Sequence, residues 1–171
     1  RGLGDVYKRQ QLNRLQTVCG LTPNKVEGRR ITGAADLLVV KQALCGEVNV
    51  DLVSSLAAAG VSAFGCHGAS GQLIQAEKRP PMDFGARGVI DLGEVGDVSG
   101  VNVRAIECLL DGGFVPVIAS LGMNPQGRVF NINADTTVAA IARAIAPHAE
   151  ASHQSGRLRS AWLLSLLSPA G

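Results

Sequence analysis

The sequence predicts an α/β fold, a three-layer αβα sandwich around a mainly parallel central sheet. Three observations carry that expectation. Short apolar runs of the doubly buried strand type, VSAFG at 61–65 and FVPVIAS at 114–120, alternate with stretches of helical periodicity. Glycine is plentiful at 21 residues while aromatics make up only 4%, a mix suited to tight strand-to-helix turns. A length of 171 residues is one domain with room for a real core.

Each element follows in order. Leu12, Leu15 and Cys19 repeat at helical spacing and predict a helix over 11–19, stopped by Gly20. PNKVEGRRIT at 23–32 mixes turn formers with β-branched residues and reads as a hairpin. Leu37, Leu38, Lys41 and Leu44 place a helix over 34–45, and a second helical stretch runs from 48 to 59, with Gly46 between them and Gly60 at the end. After the strand at 61–65 comes a glycine-rich turn, CHGASG. QLIQAEK at 72–78 alternates and reads as an exposed strand, and RPPMDFGARGVIDLG at 79–93 as an irregular loop before EVGDV. A helix follows over SGVNVRAIECLLDGG, capped by Ser99 or Asn102 and closed by Gly112 or Gly113. GRVFNI at 127–132 is a strand, and Val138, Ala139, Ala142 and Ile145 mark one face of a helix over 135–145.

Charge and cysteines narrow the function classes. The net charge is +2, but the excess sits at the two ends: residues 1–10 and 151–171 carry +2 each, leaving −2 on the body between them. A nucleic-acid surface needs its basic patch on the folded body, so that class is set aside. Cys19, Cys45, Cys66 and Cys108 form no CxxC pair and no metal-ligand spacing. Small or apolar neighbours make them buried free thiols, and no metal site is expected. The adjacent Cys66 and His67 point apart on an extended chain and read as a strand-end turn, not a nucleophile and its base. No apolar run reaches membrane-spanning length, and a cytoplasmic location is expected.

Both ends depart from the middle. DVYKRQ at 5–10 resembles the translation of a sequencing adapter, so residues 1–10 are expected to have no structural role. From about Ala151, ASHQSGRLRSAWLLSLLSPAG breaks the preceding composition and reads as a frameshifted or non-native tail over 151–171, with a terminal helix around 161–167 as the ordinary alternative. The working domain is 11–150.

FNINADTT at 130–137 is the stretch that carries chemistry. Asn, Asp and Thr compete for backbone hydrogen bonds and favour helix caps, so Asn131 and Asp135 could simply start the following helix. The same residues could hold a ligand at a strand end. Arg30, beside Arg29, could be an ordinary hairpin charge.

A resemblance separates these readings. QLNRLQTVCGLTPNKVEGRRIT, GEVNVDLV, DLGEVGDVSGVN, LLDGGFVPVIASLG and NINADT occur in the order of the N-acetylglutamate kinases, a branch of the amino-acid kinase family, over residues 11–150. Glu94 stands where that branch usually has an aromatic. The resemblance implies ATP with Mg2+ as the cofactor and N-acetyl-L-glutamate as the substrate. The implied reaction phosphorylates the γ-carboxylate in arginine biosynthesis, in a homodimer or higher homo-oligomer assembled through helices at 34–59. It implies that Arg30 grips the substrate α-carboxylate, that Asn131 bonds the same end of the molecule, and that Asp135 is catalytic, positioning lysines. The family's Lys-x-Gly-Gly strand, second lysine and nucleotide lobe have no counterpart here, so the chain alone is expected to be inactive. The carrier-protein aminoadipate kinases of lysine biosynthesis are the alternative branch, marked by Asn-x-Asp-Gly-Asp where this chain has Asn131-Ile132-Asn133-Ala134-Asp135. An amino-acid-binding module without catalysis is the alternative from another class.

Overall fold

A computed structural model describes residues 3–27 and 29–154. The alternative helix at 161–167 and most of the atypical tail therefore lie outside the described residues. Helix α1 (Leu3–Val18) leads to the hairpin β1 (Lys25–Val26) and β2 (Arg29–Arg30), then to α2 (Ala34–Lys41) and α3 (Asn49–Ala58). Next come β3 (Ala63–His67), β4 (Ile74–Lys78), the small hairpin β5 (Met82–Asp83) and β6 (Val89–Ile90), and β7 (Gly96–Val101). The order closes with α4 (Val103–Asp111), β8 (Val115–Ala119), β9 (Leu121–Met123), β10 (Val129–Asn131) and α5 (Ala134–Gln154).

The α/β class and its three layers are visible in the two largest core clusters. Ala119 and Leu121 pack with Leu12 of α1 and Val39, Val40, Ala43 and Leu44 of the α2 stretch. The neighbouring Ile118, with Cys66 and Ile74, packs instead with Ile106 of α4 and Ile141 of α5. Successive strand residues face opposite ways, so β8 is covered on both sides, as its uninterrupted apolar sequence requires.

The pairing is mixed. β3 and β8 are parallel over Ala63–His67 and Val115–Ala119, and β4 meets β9 in parallel at Gln75 and Met123. In each case α4 lies between the partners in the chain, as a parallel crossover needs. β4–β7 and β9–β10 are antiparallel, and no α-helix separates those partners.

Several local expectations are corrected. The two helices expected around Gly46 are one helical run, joined by a π-helical segment over Gln42–Val48. Glycine ends a helix when it takes a left-handed conformation; Gly46 does not, and the wider turn keeps Ala43, Leu44 and Val48 buried. β4 is interior to the sheet, between β7 and β9, with Ile74 and Ala76 fully buried. The supposed loop at 79–93 contains the β5–β6 hairpin. β9, three residues long, has no separate signal in the sequence, and Ser99 lies in β7, leaving Asn102 as the α4 cap, accepting from the Ala105 N–H at 3.2 Å. Of the four free cysteines only Cys66 is buried; Cys19 follows α1 and is exposed, as is Cys108. Burial pushes the Cys66 thiol up to about 11, with Cys45 nearby adding to the effect.

A polar staple joins α3 to the sheet. Asn49 at its start is buried and donates its Nδ2 hydrogens to the carbonyls of Val117 (2.9 Å) and Cys66 (3.3 Å). The carboxamide fits because Gly65 has no Cβ, which would collide with Asn49 Oδ1 and press on Val53. Gly65→Ala is therefore expected to destabilise the fold by about 1–3 kcal/mol through overpacking, read as a lower urea midpoint; an unchanged midpoint would show that α3 can draw back freely.

Candidate functional site

The short β1–β2 hairpin delivers Arg30 to the end of α1. Its Nη2 donates to Asn13 Oδ1 at 2.9 Å, and its Nη1 donates to Gln16 Oε1. Gln16, fully buried, donates from Nε2 to Asp36 Oδ1 at 2.7 Å. Asp36 in turn accepts the Gly33 N–H at 3.1 Å from the first turn of α2. Partial burial lowers the Arg30 pKa from its ordinary value, and the Asp36 charge opposes that shift; the group stays cationic at neutral pH.

Two residues beyond Arg30 the chain enters a backbone junction. Thr32 N–H donates to Leu92 O (2.9 Å), and Glu94 N–H donates to Thr32 O (2.7 Å). Asn131 N–H donates to Glu94 O at 2.9 Å, and Asn131 Nδ2 donates to Thr32 Oγ1 at 3.2 Å. Gly93 sits at the crossing with φ +76°, and a Cβ there would strike the Thr32 carbonyl. Only glycine meets both demands cheaply. Three chain segments distant in sequence are thus knitted into one ladder.

The FNINADTT stretch divides its duties. Phe130 is buried against Ala76 and Ile132. Asn131 belongs to the ladder. Asn133 caps α5, accepting the Thr136 N–H at 3.0 Å through Oδ1, so the capping alternative holds for Asn133 and not for Asn131. Asp135 stands half-buried in the first turn of α5, where its charge complements the helix dipole. It takes part in none of the ion pairs among the described residues. The fold brings Asn131 onto Thr32, two residues beyond Arg30 in the chain, while the Asp135 carboxylate bonds neither Arg30 nor Asn131.

Above the ladder, Arg128 grips Glu94 with two bonds, Nε to Oε2 at 3.0 Å and Nη2 to Oε1 at 2.6 Å, and lies over the Phe130 ring. The pair holds the Glu94 carboxyl below its usual range. This explains how a charged residue is accommodated at position 94. Asn13, Gln16, Thr32 and Asp36 were not singled out from the sequence. The available signal was Gln16, one helical turn from Leu12 and on the same apolar face, where a carboxamide needs a reason to be buried.

The model of the family described as "Amino acid kinase family" matches residues 6–149. The chain belongs to the amino acid kinase family. It is 44% identical over 134 residues to the acetylglutamate kinase of Sorangium cellulosum, an alignment covering 77% of this chain and 47% of that protein. The acetylglutamate kinase of Methanopyrus kandleri is 47% identical over 126 residues, covering 74% of this chain and 50% of the relative. The chain spans about half the length of the curated relatives it matches. Among solved structures, smu.665 from Streptococcus mutans superposes with a TM-score of 0.69 at 31% identity, over 80% of this chain and 53% of that one. N-acetylglutamate synthase from Neisseria gonorrhoeae, complexed with coenzyme A and N-acetyl-glutamate, shares the fold with a TM-score of 0.57 at 23% identity, over 80% of this chain and 29% of that one.

For this family member the ladder makes one prediction. Thr32→Val keeps the buried shape and removes the acceptor for Asn131, costing about 1–2 kcal/mol. The expected result is a lower urea midpoint together with faster exchange of the Asn131 side-chain amide protons; unchanged exchange would show that the 3.2 Å contact holds nothing.

Proposed function

We propose that this chain is the acetylglutamate-binding part of an acetylglutamate kinase, and that the enzyme transfers the γ-phosphoryl group of ATP to the γ-carboxylate of N-acetyl-L-glutamate. The observation that carries the reading is the bond from Asn131 to Thr32, two residues beyond Arg30, in a chain 44% identical to an acetylglutamate kinase. Arginine biosynthesis in the cytoplasm is the setting that goes with it. No described helix is long and apolar enough to cross a membrane.

The roles follow from the side-chain chemistry. Arg30 pairs its planar fork with the substrate α-carboxylate through two charge-assisted bonds, fixing direction as well as affinity. Asn131 offers a donor and an acceptor, which suits a substrate carrying both carboxylate and amide. In the reaction a γ-carboxylate oxygen bonds to the terminal phosphorus of ATP, the bond to the bridging oxygen breaks, and ADP leaves with that oxygen. Such transfers depend on in-line positioning and cationic cover. Asp135, at the start of α5, organises the lysines that provide the cover. Among the described residues no three His, Cys, Asp or Glu side chains gather to hold a metal ion.

The test places residues 11–150 in a complete acetylglutamate kinase in exchange for the matching part. Arg30→Lys keeps the charge and loses the fork, at a cost of about 2 kcal/mol, roughly thirtyfold. Steady-state kinetics should show that rise in KM for N-acetyl-L-glutamate, with KM for ATP nearly unchanged. Asn131→Ala should act on the same substrate, whereas Asp135→Asn should lower kcat more than it raises either KM. Untouched N-acetyl-L-glutamate kinetics in the Arg30→Lys enzyme would refute the site.

A homodimer through the α2–α3 stretch is part of the same proposal. Of the apolar side chains there, Leu37, Val40, Leu44 and Val48 are spent on the core, while Leu38 and Val50 remain 56% and 62% exposed. Sedimentation should find a dimer, and Leu38→Glu combined with Val50→Glu should weaken it at least about tenfold by breaking apolar contact. A wild-type chain that stays monomeric at high concentration would rule the interface out.

A further inference from the structure

We infer that Gln16 is a positioning residue for Arg30, a buried neutral bridge that holds the guanidinium toward a carboxylate ligand without competing with that ligand for its charge. The inference rests on the binding role proposed for Arg30. Gln16 is fully buried on α1, on the face that carries Leu12 into the core. A leucine would pack there at no polar cost; a carboxamide is tolerated only when both of its ends are bonded. Here both are. Oε1 accepts from Arg30 Nη1, and Nε2 donates to Asp36 Oδ1 at 2.7 Å.

The orientation of the amide is forced. Turned over, it would set NH2 against a guanidinium, which only donates, and a carbonyl against a carboxylate, which only accepts. Asp36 is itself fixed by the Gly33 N–H, so the chain Gly33–Asp36–Gln16–Arg30 has one arrangement. A hydrogen bond to the Asp36 charge polarises the amide and makes its oxygen a better acceptor for Arg30. The carboxylate influence thus reaches Arg30 through a neutral group. A direct acid at position 16 would instead take the fork as a permanent ion pair. Gln16 and Asn13 together engage two of the five guanidinium N–H donors, leaving three, enough for a two-bond grip on a carboxylate.

The experiment uses this 171-residue chain with two probes, N-acetyl-L-glutamate and its α-carboxamide, by titration calorimetry. A second readout is the NMR signal of the Arg30 side-chain N–H groups. Gln16→Leu should raise Kd for the acid about tenfold and for the α-amide less than about twofold, and Arg30 should gain free guanidinium rotation. In an Arg30→Lys background the same change should add almost nothing, because Gln16 acts through the fork. Asp36→Ala, which leaves the buried position untouched, should give a smaller loss in the same direction and serves if Gln16→Leu does not fold. Gln16→Glu should keep Arg30 immobile yet still weaken the acid. Equal losses for acid and amide, or Arg30 signals indifferent to both Gln16→Leu and Asp36→Ala, would overturn the bridge. If the wild-type chain binds neither probe, the proposed substrate is what fails, and the guanidinium signals still decide the bridge.

Discussion

The candidate site depends on Thr32 and the ladder it anchors. Its backbone ties the β1–β2 hairpin to the segment at 92–94, and its hydroxyl receives Asn131 from β10. Residues separated by about a hundred positions in the chain meet because each bond satisfies a polar group that burial would otherwise leave costly. Thr32 itself is fully buried, which removes water as an alternative partner. Asn131 takes its placement from this junction, and Arg30 precedes Thr32 by two residues in the chain. Gly93 is the steric condition for it, since a side chain there would hold the two backbones apart.

A second principle recurs in the core. Both Asn49 and Gln16 bury a carboxamide between packed elements, Asn49 bonded through its Nδ2 and Gln16 through both of its ends. Asn49 fastens α3 to the parallel strands; Gln16 fastens α1 to α2 and to Arg30. Apolar residues would fill these places with less risk, but without direction. Hydrogen bonds are directional and register-specific, so a few buried amides set how helices sit on the sheet while the aliphatic clusters supply the bulk of the burial.

The charges around Arg30 differ from those around the other cations of this region. Glu94 is engaged by Arg128 and Asp91 by Lys78, whereas Arg30 is held by two neutral amide oxygens. Its nearest acid, Asp36, stands one carboxamide away. A cation kept in place by neutral groups retains its attraction for a carboxylate, which the proposed reaction requires at the end of the substrate remote from the phosphoryl transfer.

Strand and helix alternation, apolar doubly buried runs and five ordered motifs were enough to read the α/β class and the family from the sequence, because they rest on local periodicity and on residue identity. Arg30, Asn131 and Asp135 were named on the same basis. Local pattern could not see β9 or the β5–β6 hairpin, whose strands of two or three residues exist only through their partners. It also misplaced β4 at an exposed position and broke the helix at Gly46, since sheet order and core contact decide both. Only the tertiary structure separated Asn133, a cap, from Asn131, a rung of the ladder. Within FNINADTT the two asparagines are chemically identical. What distinguishes them is which distant backbone lies within 3 Å or so, and that is a property of the folded chain.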